Sequence, residues 1–148
     1  MRISSKGRYA LAAAVNMTER YSPDVYIPLL SVAGSLGLSK IYLEHIFSQL
    51  KRAGIVSAAK GSQGGYVLAR SPDEITALDV LLATEPALFE VTDVVAGEKM
   101  PEVAGAIFEC VMKPLDEAIK CSLSGTTLAD IAAEVALQRG SGENMFYI

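Results

Sequence analysis

Two short runs carry side chains suited to phosphate and base recognition. Ser39-Lys40-Ile41-Tyr42-Leu43-Glu44 offers a hydroxyl, an ammonium, a phenol and a carboxylate in close succession. Lys60-Gly61-Ser62-Gln63-Gly64-Gly65 offers a cation followed by small and hydrogen-bonding residues. Arg2, Ser4, Lys6 and Arg8 form a third cluster near the start of the chain. Enzyme chemistry has no comparable support. With one histidine, His45, no Ser/His/Asp set can be built, and no pair of acids stands out. His45 reads as an exposed helix residue, because no cysteine or second histidine stands at ligand spacing. The glycine loop does not match a nucleotide cradle, which ends in Gly-Lys-Ser/Thr and opens a helix. Here the following Tyr66-Val67-Leu68 reads as a strand. An enzyme is not expected.

The elements that must hold these residues follow from periodicity. Leu43, Ile46, Phe47 and Leu50 recur on one helical face. The spacing predicts a helix from Ser39 to Ala53, with Ser39 as N-cap and Gly54 as left-handed C-cap. Lys40, Ile41, Tyr42, Glu44, His45 and Gln49 lie off its buried stripe. Ile55-Val56 and Tyr66-Val67-Leu68 then form a hairpin around the glycine loop. Upstream, Pro28 opens a short helix to Leu36 with Leu29, Leu30, Val32, Ala33 and Leu36 inward, and Gly37 makes the turn. A first helix runs from Ser4 or Ser5 to about Tyr21, with Ala10, Leu11, Ala14, Met17 and Tyr21 inward. The predicted fold is mainly α: a winged helix-turn-helix of three helices plus a two-stranded wing.

In that arrangement the start of the third helix reaches base edges in a DNA major groove. Ser39, Lys40, Tyr42 and Glu44 are therefore the expected contacts. Glu44 either accepts from a cytosine amine or orients Lys40 at i,i+4, with the second slightly favoured. Lys60, Gly61, Ser62 and Gln63 are expected along phosphates or in a minor groove, where a thin glycine-rich loop fits. A tight hairpin also demands glycine, but explains one or two such positions more readily than three. Arg2, Lys6 and Arg8 oppose the dipole of the first helix, which a phosphate bound beside Ser4 would relieve; solvated surface charge accounts for them equally well.

The charge distribution agrees. The net charge is −4, yet residues 1–70 carry +6 and residues 71–148 carry −10. A basic half carrying the motif and an acidic half elsewhere suit a phosphate-binding head on a soluble body. The longest stretch without a charged residue, Val25 to Ser39, is fifteen residues, too short to span a bilayer. No leader pattern opens the chain, so a cytoplasmic protein without a membrane partner is expected.

Beyond the wing, Thr76 with Asp79 makes a capping box that opens a fourth helix to Thr84, with Leu78, Val80, Leu81 and Leu82 on the core. Residues 86–99 show no period and read as a connector. Val103, Ile107, Val111, Leu115 and Ile119 then form an apolar stripe with more surface than a lone helix needs, which implies a dimer seam. Pro114 should kink that helix near Cys110 or Val111. Thr127 and Asp130 open a final helix to about Gln138. The expected domains are 1–85 (DNA-binding), 86–99 (connector), 100–138 (dimerisation helices) and 139–148, a mobile tail whose apolar end, 145–148, has the composition to dock. Cys110 and Cys121 are expected as free thiols, with Cys110 a small buried hydrophobe in preference to a redox switch.

The run SKIYLEHIFSQLKRAGIV, followed by KGSQGGYVLAR and EITALDVL and preceded by SSKGRYAL, resembles the Rrf-two family of bacterial transcription regulators. The resemblance is close over residues 1–85 and loose from there to Gln138. It implies a sequence-specific DNA-binding regulator, expected as a repressor, that dimerises through the long helix and binds a near-palindromic operator. Its expected partners are double-stranded DNA and a second copy of itself; a winged-helix protein-interaction module is the alternative. Many members hold an iron–sulfur cluster through three cysteines between the fourth helix and the dimer helix. Here residues 86–106 contain no cysteine, and the place of the last family cysteine falls near Ala106. Cys110 and Cys121 stand about 16 Å apart along a helix, too far to share a site within one chain; they could do so only across a dimer. The resemblance is therefore to cluster-free members, and no metal or cofactor is expected.

Overall fold

The computed structural model describes residues 3–89 and 99–145. Helix α1, Ser5–Glu19, lies at the centre of the body and packs against the helices described next. Ser4 caps it by accepting from the Gly7 N–H at 3.1 Å. Ala10, Ala13 and Ala14 are fully buried. Such short side chains let neighbouring helix axes come close.

Helix α2, Leu29–Leu36, begins one residue later than expected, with Pro28 at the cap in an extended conformation. Leu30 points outward, against expectation; Leu29, Val32 and Ala33 form the buried face. Gly37 makes the turn at φ 65°, a left-handed conformation that costs other residues more. Helix α3, Lys40–Arg52, follows, and the Tyr42 N–H donates to the Ser39 hydroxyl at 3.2 Å. Leu43, Ile46, Phe47 and Leu50 are fully buried, as their period requires.

Strands β1, Val56–Ala59, and β2, Gly65–Leu68, pair antiparallel with Val56 opposite Leu68 and Ala59 opposite Gly65. The Tyr66 ring meets Phe47 of α3 edge-on at 4.7 Å. Ile27 adds a third, single-residue strand through bonds of 2.7 and 2.9 Å with Tyr66. One residue carries no alternation, so periodicity could not reveal it.

Helix α4, Ala77–Thr84, opens with the expected Thr76–Asp79 box. Its buried face is Ala77, Val80, Leu81 and Thr84, the i, i+3, i+4, i+7 set. That set leaves Leu82 exposed, against expectation, and Leu78 half-buried. A short 3₁₀ turn, Pro86–Phe89, follows.

From Pro101 to Ser124 the chain forms one arm: α5, Pro101–Ile107, a π-helical turn, Phe108–Met112, and α6, Lys113–Ser124. The π turn is where Pro114 was expected to act. Proline lacks the N–H that would bond the carbonyl four residues back, at Cys110, and its ring crowds that carbonyl. The Lys113 N–H reaches back five residues to Phe108 instead. This extra residue straightens the apolar stripe. On an unbroken α-helix, positions 103 and 119 drift about 160° apart around the axis; one inserted residue reduces that to about 60°. Cys110 and Cys121 are both exposed, so Cys110 is not the buried hydrophobe expected. The arm packs on the body through α6 against α4, and Cys110 lies before that stretch.

Helix α7, Leu128–Met145, departs most from expectation. It continues past Gln138 through residues assigned to a mobile tail. Arg139, one residue beyond, pairs with Glu19 at the end of α1. Helix interiors tolerate Gly140 and Gly142 at about 1 kcal/mol each. Residues 146–148, including the expected docking end, lie outside the described residues. The helix also belongs to the winged body and not to the arm. Leu128 is fully buried in the same core as α1 and α3, and Ile131 and Val135 pack against it. The Ala77 N–H donates to the Thr126 carbonyl and the Leu128 N–H to the Ile75 carbonyl, each at 2.8 Å. Thr76 and Thr127 thus face each other across one antiparallel bridge, each opening a capped helix.

Candidate nucleic-acid interface

The body turns the unburied face of α3 to solvent. Because Leu43, Ile46, Phe47 and Leu50 fix its rotation, Lys40, Ile41, Glu44, His45, Ser48, Lys51 and Arg52 are exposed. Ser39, also exposed, caps the helix with its hydroxyl while its own N–H lies outside the helical ladder. Lys40 and Glu44 pair at 3.7 Å with both side chains more than half exposed, the i,i+4 arrangement favoured from sequence. A pair so exposed contributes little stability, so either group can exchange its partner for a nucleic-acid group.

Tyr42 stands differently from the other expected contacts. It is half-buried, packs against the core and meets Tyr9 of α1 edge-on, with ring centres 6.0 Å apart. Its ring braces α3 against α1. Gln49, expected off the buried stripe, is also half-buried.

At the wing tip Lys60, Gly61, Ser62 and Gln63 are all exposed. The glycines after them have reasons internal to the fold. A Cβ on Gly64 would lie 2.4 Å from the Ala59 carbonyl oxygen, and one on Gly65 2.3 Å from that of Ile27. The hairpin and its single-residue third strand therefore demand glycine at these two positions, and Gly61, at φ 106°, is in a conformation that favours glycine too. Close approach to another molecule is not needed to explain them. What remains for recognition at the tip is the lysine, the hydroxyl and the amide.

At the start of α1 a protein carboxylate occupies the place proposed for a phosphate. The Ser4 N–H donates to Glu85 Oε1 at 2.7 Å, and the Ser4 hydroxyl bonds the same oxygen. A Cβ on Gly7 would lie 2.2 Å from that oxygen, so this buried helical glycine makes room for the carboxylate. Arg8 is exposed and bonds Ser5, and Lys6 is half-buried. Arg2 lies outside the described residues. Sequence reasoning missed Glu85; the available signal was a glycine inside a helix, where it costs about 1 kcal/mol and wants a reason.

Three helices with a left-handed turn before α3, and a two-stranded hairpin directly after it, define a winged helix-turn-helix protein. A family model described as Rrf2, an iron-dependent transcriptional regulator, matches residues 3–134, and the chain belongs to this family of transcription regulators. The HTH-type transcriptional regulator CymR of Bacillus subtilis is 34% identical over 151 residues, spanning all of both chains. The IscR regulator of Aliivibrio salmonicida is 29% identical over 95% of this chain and 83% of its own. Among solved structures, that of CymR, the global cysteine regulator of B. subtilis, superposes with a TM-score of 0.73, covering 90% of this chain and 98% of that one at 34% identity. T. potens IscR superposes at 0.69, covering 91% and 88% at 29% identity. The family and these relatives are regulators, not enzymes, and this chain is a DNA-binding transcription regulator.

The family description mentions iron, and this chain's residues do not fit an iron–sulfur centre. Its two cysteines are both exposed on the arm, separated by about 16 Å of helix. Among the described residues no group of three or more His, Cys, Asp or Glu could hold a metal. Among them, too, no helix is long and apolar enough to cross a membrane.

Proposed function

We propose that the protein is a cytoplasmic, homodimeric repressor that binds a near-palindromic operator through α3 and the wing. The observation that carries this reading is the first turn of α3, where Ser39, Lys40 and Glu44 stand exposed on a helix locked from behind. Helices of this kind enter the major groove with their N-terminal residues at the base edges. Lys60, Ser62 and Gln63 extend the contact to the backbone, with Lys6 and Arg8 as further phosphate partners. Ser4 and Tyr42 act indirectly, Ser4 through Glu85 and Tyr42 by bracing α3.

The arm supports the dimer. Val103, Ile107, Val111 and Leu115 are 39–55% exposed, an apolar row that the described residues leave partly uncovered. Twofold pairing of such rows predicts two half-sites about one helical turn, or a multiple, apart.

Selection of bound sequences from a random DNA pool, with light scattering of the free and bound protein, tests this. A near-palindrome and a dimer are expected. A monomer at micromolar concentration, or a pool without symmetry, rejects the proposal. Lys60→Ala should weaken operator and random DNA alike and lower the slope of log affinity against log salt by about one. Loss of discrimination in that variant would make the wing the base reader.

A further inference from the structure

We propose that Ile41 reads the C5-methyl group of a thymine in each operator half-site, an inference that rests on DNA binding through α3. Ile41 is 81% exposed, more than any other large hydrophobic among the described residues. Its place on the helix is specific. The buried residues Leu43, Ile46, Phe47 and Leu50 centre about 190° around the axis from it, at 100° per residue. Ile41 therefore stands on the line of α3 farthest from the body. Lys40, Glu44 and Lys51 lie to one side of that line.

When such a helix lies in a major groove, its outermost line runs deepest among the base edges, and residues beside that line reach base edges or phosphates. Isoleucine has no donor or acceptor for a phosphate or a base amide. The apolar group that the major groove presents is the thymine methyl, absent from cytosine and from guanine. A β-branched residue at the start of a helix is a poor helix former, and here it gains little burial from the described residues. Its neighbours along the helix, Lys40, Glu44 and His45, are charged or polar and exposed. The setting suits one methyl contact within a polar groove better than an apolar protein partner.

The test uses the full chain and the operator selected from the random pool. Each thymine is replaced in turn by uracil, which removes only the methyl, and affinity is measured for the wild type and for Ile41→Ala. One position per half-site should weaken wild-type binding about three- to tenfold when it carries uracil. The same uracil should change Ile41→Ala binding less than twofold, and the variant should melt like the wild type. An operator at which no uracil separates the two proteins overturns the inference alone. So does a variant that loses equally on operator and random DNA. A pool with no enriched sequence overturns the operator reading, and this inference with it.

Discussion

The winged body and the arm are built from similarly apolar helices, yet one closes on itself and the other does not. In the body, α1, α3, α4, α7 and the wing share one core, with Phe47, Met17, Leu43 and Leu128 at its centre. In the arm, Val103, Ile107, Val111 and Leu115 lie exposed along a single helix. Exposed apolar rows of this kind mark interaction surfaces. The difference separates residues that close the core from residues left exposed in an apolar row, although both look alike as helical stripes.

The largest effect that would probe this contrast is in the body. Phe47→Ala should destabilise the protein by about 3–5 kcal/mol, because it removes a fully buried ring packed on Tyr66. Urea denaturation measures it, and a loss below 1 kcal/mol would mean the core is not closed. Ile107→Asp should act oppositely. We expect it to halve the mass in light scattering while the circular dichroism of the folded body persists; a dimer that survives, or a body that unfolds, would erase the distinction. The smallest expected effect is at Asp130, which opens α7. Its carboxylate accepts from the Thr127 N–H at 2.9 Å, with a second bond between the Asp130 N–H and the Thr127 hydroxyl. The Thr127 N–H foremost, and the Thr127 hydroxyl beside the carboxylate second, hold its pKa below the ordinary value. Asp130 therefore stabilises the fold at neutral pH, and that contribution fades as pH falls from the ordinary carboxylate range through the lowered value. Asp130→Asn should lower the melting temperature slightly at pH 7 and not at all at the acid end of that range. An equal loss at both would show that the charge is not what matters.

Much of this arrangement was readable from spacing. The stripe Leu43–Leu50, the Gly37 turn, both Thr/Asp capping boxes and the Pro114 disturbance each rest on local rules. What escaped depends on contacts between distant residues. Ile131 and Val135 show a helical face but not which core it meets, so α7 was grouped with the arm. Gly64, Gly65 and Gly7 announce crowding without naming the crowding atom, which proved to be Ala59, Ile27 and Glu85. Tyr42 and Ile41 are adjacent in sequence, and only the rotation of α3 shows the first turned toward the body and the second away from it.

The bridge between Thr76 and Thr127 has a topological consequence. The arm, Pro101–Ser124, falls in sequence between the end of α4 and Thr127, and Thr127 lies beside the start of that same helix. The arm is thus an insert, spliced into a domain whose sequence resumes afterward at Leu128. The gap it spans is about one eight-residue helix, roughly 12 Å, which four or five extended residues could bridge. A chain built this way can change the arm without altering the exposed face of α3.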